Sequence, residues 1–170
     1  MTLGTSHSQS IRLVVQLLRL RLGAIPTNAV TCSVSASSLN SYLGSKRSPL
    51  VGQGANLMSS GSRYNLDPRL FVALSGAETT FGRNITAGAN NAFNVLYSGH
   101  NSPFNSFASA INSVGHSLTN PRNNYNLSST NALYSTYCHG ACSDGLKNLN
   151  RFMLEQQASP TALHFPCQTP

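Results

Sequence analysis

The sequence predicts a mainly α-helical single domain built around one central helix, which is followed by a long loop rich in Gly and Asn. Three observations predict it. Residues 67–82, DPRLFVALSGAETTFG, carry a helix start and a helix stop, with apolar residues at three- and four-residue spacings between them. Phe104, Phe107, Ala108, Ile111, Val114 and Leu118 place a second apolar face on one side of a helix, and Leu146, Leu149, Phe152 and Met153 mark a last one. At 170 residues the chain is long enough for one domain with a real core plus an extension, and too short for two ordinary domains.

Residues 1–38 read as an N-terminal extension. Within it, IRLVVQLLRLRL resembles the apolar part of a signal peptide, and the small residues of NAVTCSVSASS offer a cleavage site. Arg19 and Arg21 interrupt the apolar run, so a diverged signal, a basic helix on a membrane surface and sequence upstream of the true start all stay open. No run reaches the roughly 18 apolar residues that a transmembrane helix needs. The domain proper is assigned to residues 39–160, with 161–170 as a proline-punctuated tail. Its first part, from Leu39 to Gly54, reads as a loop or packing arm punctuated by Gly, Ser and Pro. Ala55 to Tyr64 is a short helix, and Asn65 is its turn.

The central helix comes next. Asp67 caps its first turn, Pro68 sits where a helix tolerates proline, and Gly82 supplies a left-handed stop. Leu70, Phe71, Leu74, Ala77 and Phe81 form the core-facing stripe, and Glu78 interrupts it. Glu78 lies seven residues after Phe71, so the two project within about 20° of each other. A carboxylate among apolar side chains loses solvation when charged, which raises its pKa toward that of a general acid for glycosidic cleavage. The helix dipole disfavours a negative charge at this end, so local electrostatics does not account for Glu78. The plain alternative is a boundary glutamate with its head in water.

After Gly82, the segment RNITAGANNAFNVLYSGHNSP is too irregular for a helix and long enough for a substrate-facing loop, with room for short strands around Phe93–Tyr97. Asn131 to Tyr137 is a short helix after NPRNNYNLSS, and Gly145 to Gln157 is the last one, with Asp144 as its cap.

The net charge of +7 is uneven. Residues 1–50 hold five of the eleven basic side chains and no acid, whereas 51–170 set six basic side chains against four acids. The excess of positive charge is therefore concentrated in the first 50 residues, and a nucleic-acid-binding face on the domain is not expected. Cys32, Cys138, Cys142 and Cys167 fit one or two disulfides in an oxidising compartment. The cluster CHGAC favours a disulfide within itself or to Cys167 over a zinc site, which lacks a second ligand pair at suitable spacing. His100, His116, His139 and His164 share no spacing and read as structural or surface residues.

The ordered segments SPLVGQGANLM, SRYNLDPRLFVALSGAETTFG, NNAFNVL and SFASAINSVGHSL resemble the glucosaminidase branch of the lysozyme-like superfamily, over about residues 48–155. Members of that branch cleave the glycan strands of peptidoglycan. The resemblance implies an α+β lysozyme-like fold in which Glu78 protonates the leaving glycosidic oxygen. It implies that Asn91 and Phe93 of NNAFN shape the cleft and contact sugar, with Tyr125 and Tyr137 as further substrate-binding candidates. Each of these four also has an ordinary reading, as turn former or core aromatic. The implied partner is peptidoglycan glycan, met outside the cytoplasm by a monomer that needs no cofactor and no metal.

The chain departs from the usual glycosidase in one respect. Many glycosidases place a second carboxylate roughly 5–9.5 Å from the first. Only Asp67, Glu78, Asp144 and Glu155 are acidic here, and none lies between Gly82 and Ser143. A one-carboxylate mechanism is therefore favoured, with attack by the substrate's N-acetyl group or its 6-hydroxyl and with Glu78 as acid and then base. The resulting expectation is an endo-β-N-acetylglucosaminidase. The alternatives are a lytic transglycosylase and a non-catalytic glycan-binding module.

Overall fold

The computed structural model describes residues 31–97, 100–101, 103–138 and 142–168. IRLVVQLLRLRL, with its signal-peptide reading, and His139 lie outside the described residues. The architecture is mainly helical. Among the described residues there are six α-helices: α1 (Ala36–Ser45), α2 (Gly54–Tyr64), α3 (Pro68–Thr79), α4 (Phe107–Thr119), α5 (Thr130–Tyr137) and α6 (Ser143–Glu155). The loop between α3 and α4 contains a two-residue antiparallel pair, Leu96–Tyr97 with His100–Asn101. None of the described helices is long and apolar enough to cross a membrane.

α1 replaces the loop expected from Leu39 to Gly54. The serines that suggested a loop are its cap. Ser35 Oγ accepts from the Ser38 N–H, and the Ser38 side chain accepts from the Ser35 N–H. Serine thus fills the place usually given to Glu or Gln in a capping box. Leu39 and Leu43 bury the inner face.

The compact unit runs from Cys32 to Cys167, beyond the assigned 39–160 at both ends. Val34 and Leu163 belong to the buried core, and a disulfide joins Cys32 to Cys167. The chain after α6 is tied back to the domain by two backbone bonds, Asp67 N–H to the Leu163 carbonyl (2.7 Å) in the tail and Thr130 N–H to the Pro160 carbonyl (2.8 Å) just before it.

α3 is the centre of the packing. The sequence predicts one apolar stripe, yet every residue from Pro68 to Gly76 is buried, because α6, α2, α1 and α4 all pack against it. A helix enclosed on all sides carries apolar residues all round. Gly76 lets α6 approach. A Cβ there would lie 2.6 Å from the Phe152 ring and 2.7 Å from the Phe81 ring.

Asp67 caps α3 as expected, with its carboxylate accepting from the Arg69 N–H at 2.9 Å. The same carboxylate also holds the Arg69 guanidinium, with Nη2 to Oδ2 at 2.7 Å. Both residues are buried, and Arg69 Nη1 donates onward to the Gln157 carbonyl. At its other end α3 stops at Thr79, earlier than the Gly82 stop read from the sequence. Thr80, Phe81 and Gly82 follow as three consecutive left-handed residues, with φ of 55°, 60° and 78°. Phe81 is held there by its N–H on the Ser75 carbonyl and by the Ser48 hydroxyl on its own carbonyl. Asp144 does not cap α6. It lies inside the first turn, exposed and paired to Lys147, and Cys142 occupies the cap position.

Removing Arg69 leaves the Asp67 charge buried and uncompensated. Arg69→Ala is therefore expected to cost ~3–5 kcal/mol in chemical denaturation. Lys46→Ala breaks a part-exposed pair with Glu155 and the contact of the same cation with the Tyr42, Phe81 and Phe152 rings, and is expected to cost clearly less because no charge is left buried. Equal losses in the two variants would contradict a structural role for the buried pair.

Candidate active site

The last turn of α3 opens onto a cavity of about 290 Å³ lined by Glu78, Asn94, Val95, Ser117, Tyr125, Tyr137 and Cys138. Glu78 is half-buried and is the one acidic residue among those lining residues. Its position is set by its neighbour. The buried Thr79 hydroxyl donates to the Ala92 carbonyl at 2.6 Å and accepts from the Gly82 N–H at 2.9 Å, so the helix end and the following loop are fixed together.

That loop builds one wall. Asn91 is buried, and its side-chain amide spans Val95, donating to the Val95 carbonyl (2.9 Å) and accepting from its N–H (3.0 Å). This turn brings Asn94, at a φ of 53°, and Val95 to the cavity. The Phe93 ring is fully buried, so it belongs to the core and has no face for a sugar. Its carbonyl is what it offers the site, accepting from the Tyr137 hydroxyl at 2.6 Å. Asn91 and Phe93, expected to contact sugar, are spent on the loop and the core, and Asn94 and Val95 line the cavity instead.

Tyr125 and Tyr137 do meet Glu78 at the cavity, and their rings lie 5.8 Å apart. The sequence reading missed Tyr134. Its hydroxyl donates to Glu78 Oε1 at 2.8 Å, and its ring stacks on Tyr137 at 6.3 Å. Gly145 on α6 makes room for it. A Cβ on Gly145 would collide with the Tyr134 hydroxyl. The spacing of Tyr134 and Tyr137, three residues apart on α5, was the available signal. Cys138 and Cys142 bond to each other across the α5–α6 connection, which removes both as thiolate ligands.

Both phenols are pushed to higher pKa. For Tyr134 the causes are burial and then the bond to Glu78 and its charge; for Tyr137 they are burial and then the Glu78 charge. They remain hydrogen-bond donors throughout the physiological range.

The other acids are occupied elsewhere. Asp67 is paired with Arg69, and Asp144 is exposed beside Lys147. Glu155 accepts from Lys46 Nζ and the Tyr42 hydroxyl, both at 2.6 Å, and lines a different cavity. Those two bonds lower its pKa, while burial and then the bond to Glu155 raise that of Tyr42.

Gly145→Ala is expected to destabilise the domain by about 1–3 kcal/mol through this collision. Tyr134→Phe in the same chain should return part of the loss, which a double-mutant cycle in denaturant would read. Additive losses would mean that the two residues do not meet. Stability should also respond to alkali. Tyr42, Tyr134 and Tyr137 have raised values when folded, whereas a phenol in the unfolded chain ionises near pH ~10. Their contribution is complete below that pH and is lost as pH rises toward the folded values. Thermal melts beside tyrosinate absorbance, from about pH 8 upward, would show ionisation delayed until unfolding.

No protein-family model, curated protein or solved structure matches this chain, and its functional reading rests on the geometry of this cavity.

Proposed function

We propose that the chain is a peptidoglycan glycan-strand hydrolase, an endo-β-N-acetylglucosaminidase with a lysozyme-like fold and Glu78 as general acid. The observation that carries this reading is a lone half-buried carboxyl at the end of a buried helix, lining a cavity with Tyr125 and Tyr137 and held by the Tyr134 hydroxyl. Aromatic rings beside a carboxyl suit a pyranose, whose faces are apolar and whose edge is hydroxylated.

The chemistry follows from having one acid. Glu78 gives its proton to the glycosidic oxygen as the bond from that oxygen to the anomeric carbon breaks. The substrate's own acetamido oxygen closes on the anomeric carbon, which takes the place of a second carboxylate. The Glu78 carboxylate then accepts a proton from the water that opens the ring so formed. Tyr134 holds the carboxyl in one orientation through both steps. Attack by the 6-hydroxyl instead would give the anhydro product of a lytic transglycosylase. Two disulfides fit a compartment outside the cytoplasm, where this substrate lies.

A second reading has its own support. With Glu78 as the one acid lining the cavity, the fold also suits a module that binds glycan without cutting it.

The test is turnover of purified peptidoglycan by the full chain and by Glu78→Gln, with product ends read by mass spectrometry. The variant should fold normally and lose roughly 10²–10⁴-fold in rate. N-acetylglucosamine reducing ends identify the hydrolase, and anhydro ends the transglycosylase. Binding without turnover by the unmutated chain would establish the second reading.

A further inference from the structure

Asn94 stands in the left-handed region, with a φ of 53°, which glycine adopts without strain and asparagine more readily than most other residues. Its neighbours hold it there. The Thr79 hydroxyl donates to the Ala92 carbonyl and the Tyr137 hydroxyl to the Phe93 carbonyl, both at 2.6 Å. The Asn91 amide holds both backbone groups of Val95. The backbone on each side of Asn94 is therefore fixed, in part by the residue next to Glu78 and in part by a phenol of the same cavity. A side chain carried on such a turn keeps its place relative to the Glu78 carboxyl.

The Asn94 amide is uncommitted. Asn94 is exposed and lines the Glu78 cavity, and its side chain takes no part in the hydrogen bonds among the described residues. Most other polar groups of that lining are spent. Tyr137 gives its proton to the Phe93 carbonyl, Ser117 Oγ accepts from Asn123 Nδ2 at 3.2 Å, and Cys138 is in a disulfide. The Tyr125 hydroxyl and the Asn94 amide remain beside the carboxyl. Of these two, only the amide presents a carbonyl oxygen, an acceptor with two lone pairs.

Chemistry with one acid calls for such an acceptor. As the acetamido oxygen bonds to the anomeric carbon, positive charge builds on the acetamido nitrogen, which keeps its hydrogen. An acceptor at that N–H aims the oxygen at the carbon and stabilises the charge as it forms. No second carboxylate lines the cavity to do this.

We infer that Asn94 is a catalytic residue that grips the substrate's acetamido group during attack, its Oδ1 accepting from the acetamido N–H. The inference rests on the glycan-hydrolase reading and deepens it. The bond between the anomeric carbon and the leaving oxygen breaks as that oxygen takes the Glu78 proton. The new bond joins the acetamido oxygen to the anomeric carbon, and the N–H stays on its nitrogen, shared with Asn94. Water then adds to the anomeric carbon and gives a proton to the Glu78 carboxylate, and the acetamido oxygen leaves with its group intact. The charge that Asn94 meets exists only once attack has begun. Loss of the contact therefore falls on kcat more than on KM.

The experiment compares the full chain with Asn94→Gly and Asn94→Asp on soluble glycan strands from purified peptidoglycan. Asn94→Gly removes the amide where glycine suits the backbone, so thermal melts should match those of the unmutated chain. Its kcat should fall roughly ten- to a hundredfold, with a smaller change in KM. Asn94→Asp keeps an acceptor of the same shape and should retain more activity than Asn94→Gly. Its negative charge also disfavours ionised Glu78, so the alkaline limb of its kcat profile should move to higher pH. The other titratable side chains of the lining are the phenols of Tyr125 and Tyr137. Full turnover by Asn94→Gly, or an alkaline limb unmoved in Asn94→Asp, would overturn this role while leaving Glu78 as the acid. No turnover by the unmutated chain would overturn the enzyme reading and the role of Asn94 with it.

Discussion

One buried hydroxyl, that of Thr79, holds the site together. It bonds the Ala92 carbonyl on one side and the Gly82 N–H on the other, where neither group has water as a substitute. Without it, two buried backbone groups would lose their partner, at a cost of about 1–3 kcal/mol each. The three left-handed residues that follow α3 would lose one of their ties as well, leaving those of Phe81 to Ser75 and Ser48. Glu78 immediately precedes this residue, so the bond that shapes the loop also fixes the carboxyl. Asn91 continues the same logic one step along the loop, spending its amide on Val95 so that Asn94 and Val95 reach the cavity.

Electrostatics divides the molecule in a way that suits this site. With four acidic residues in the chain, each has a definite place. Asp67 is spent on a helix start and Glu155 on a cation set among aromatic rings, where Lys46 lies 5.0 Å from the Tyr42 ring centre and 5.7 Å from that of Phe81. Asp144 sits in water. Glu78 alone among them lines the cavity with Tyr125 and Tyr137, and the phenols of Tyr134 and Tyr137 stay protonated because burial and its charge oppose their ionisation. The carboxyl is thus held by a phenol, that of Tyr134, which keeps its proton.

What could be read from the sequence was mostly local. The Asp67–Pro68 start, the apolar spacing through Leu70 and Leu74 and the position of Glu78 are written within one segment, and the observed α3 begins where they say. Tyr125 and Tyr137 were found through the resemblance, and both line the cavity. α1 was missed because serines at Ser35 and Ser38 carry both turn and cap meanings, and only the packing of Leu39 and Leu43 chooses between them. Tyr134 was missed because its role depends on Gly145, eleven residues away on another helix, leaving space for a hydroxyl. Nothing local to Arg69 announces its burial in the sequence. Its burial depends on the Gln157 carbonyl and the Ser33 hydroxyl, distant in sequence and contributed by segments that had been set outside or at the edge of the fold.

The Cys32–Cys167 bond joins the first and last residues of the compact unit. The polypeptide of this unit is thus covalently a ring, and for the packed core the place where the chain begins is arbitrary. New ends opened in an exposed loop, such as the turn around Gly88, with the old ones spliced together, would leave every helix with its neighbours. The same closeness of ends equips the unit to sit as an insert within a host protein's surface loop, entering and leaving at nearly one point.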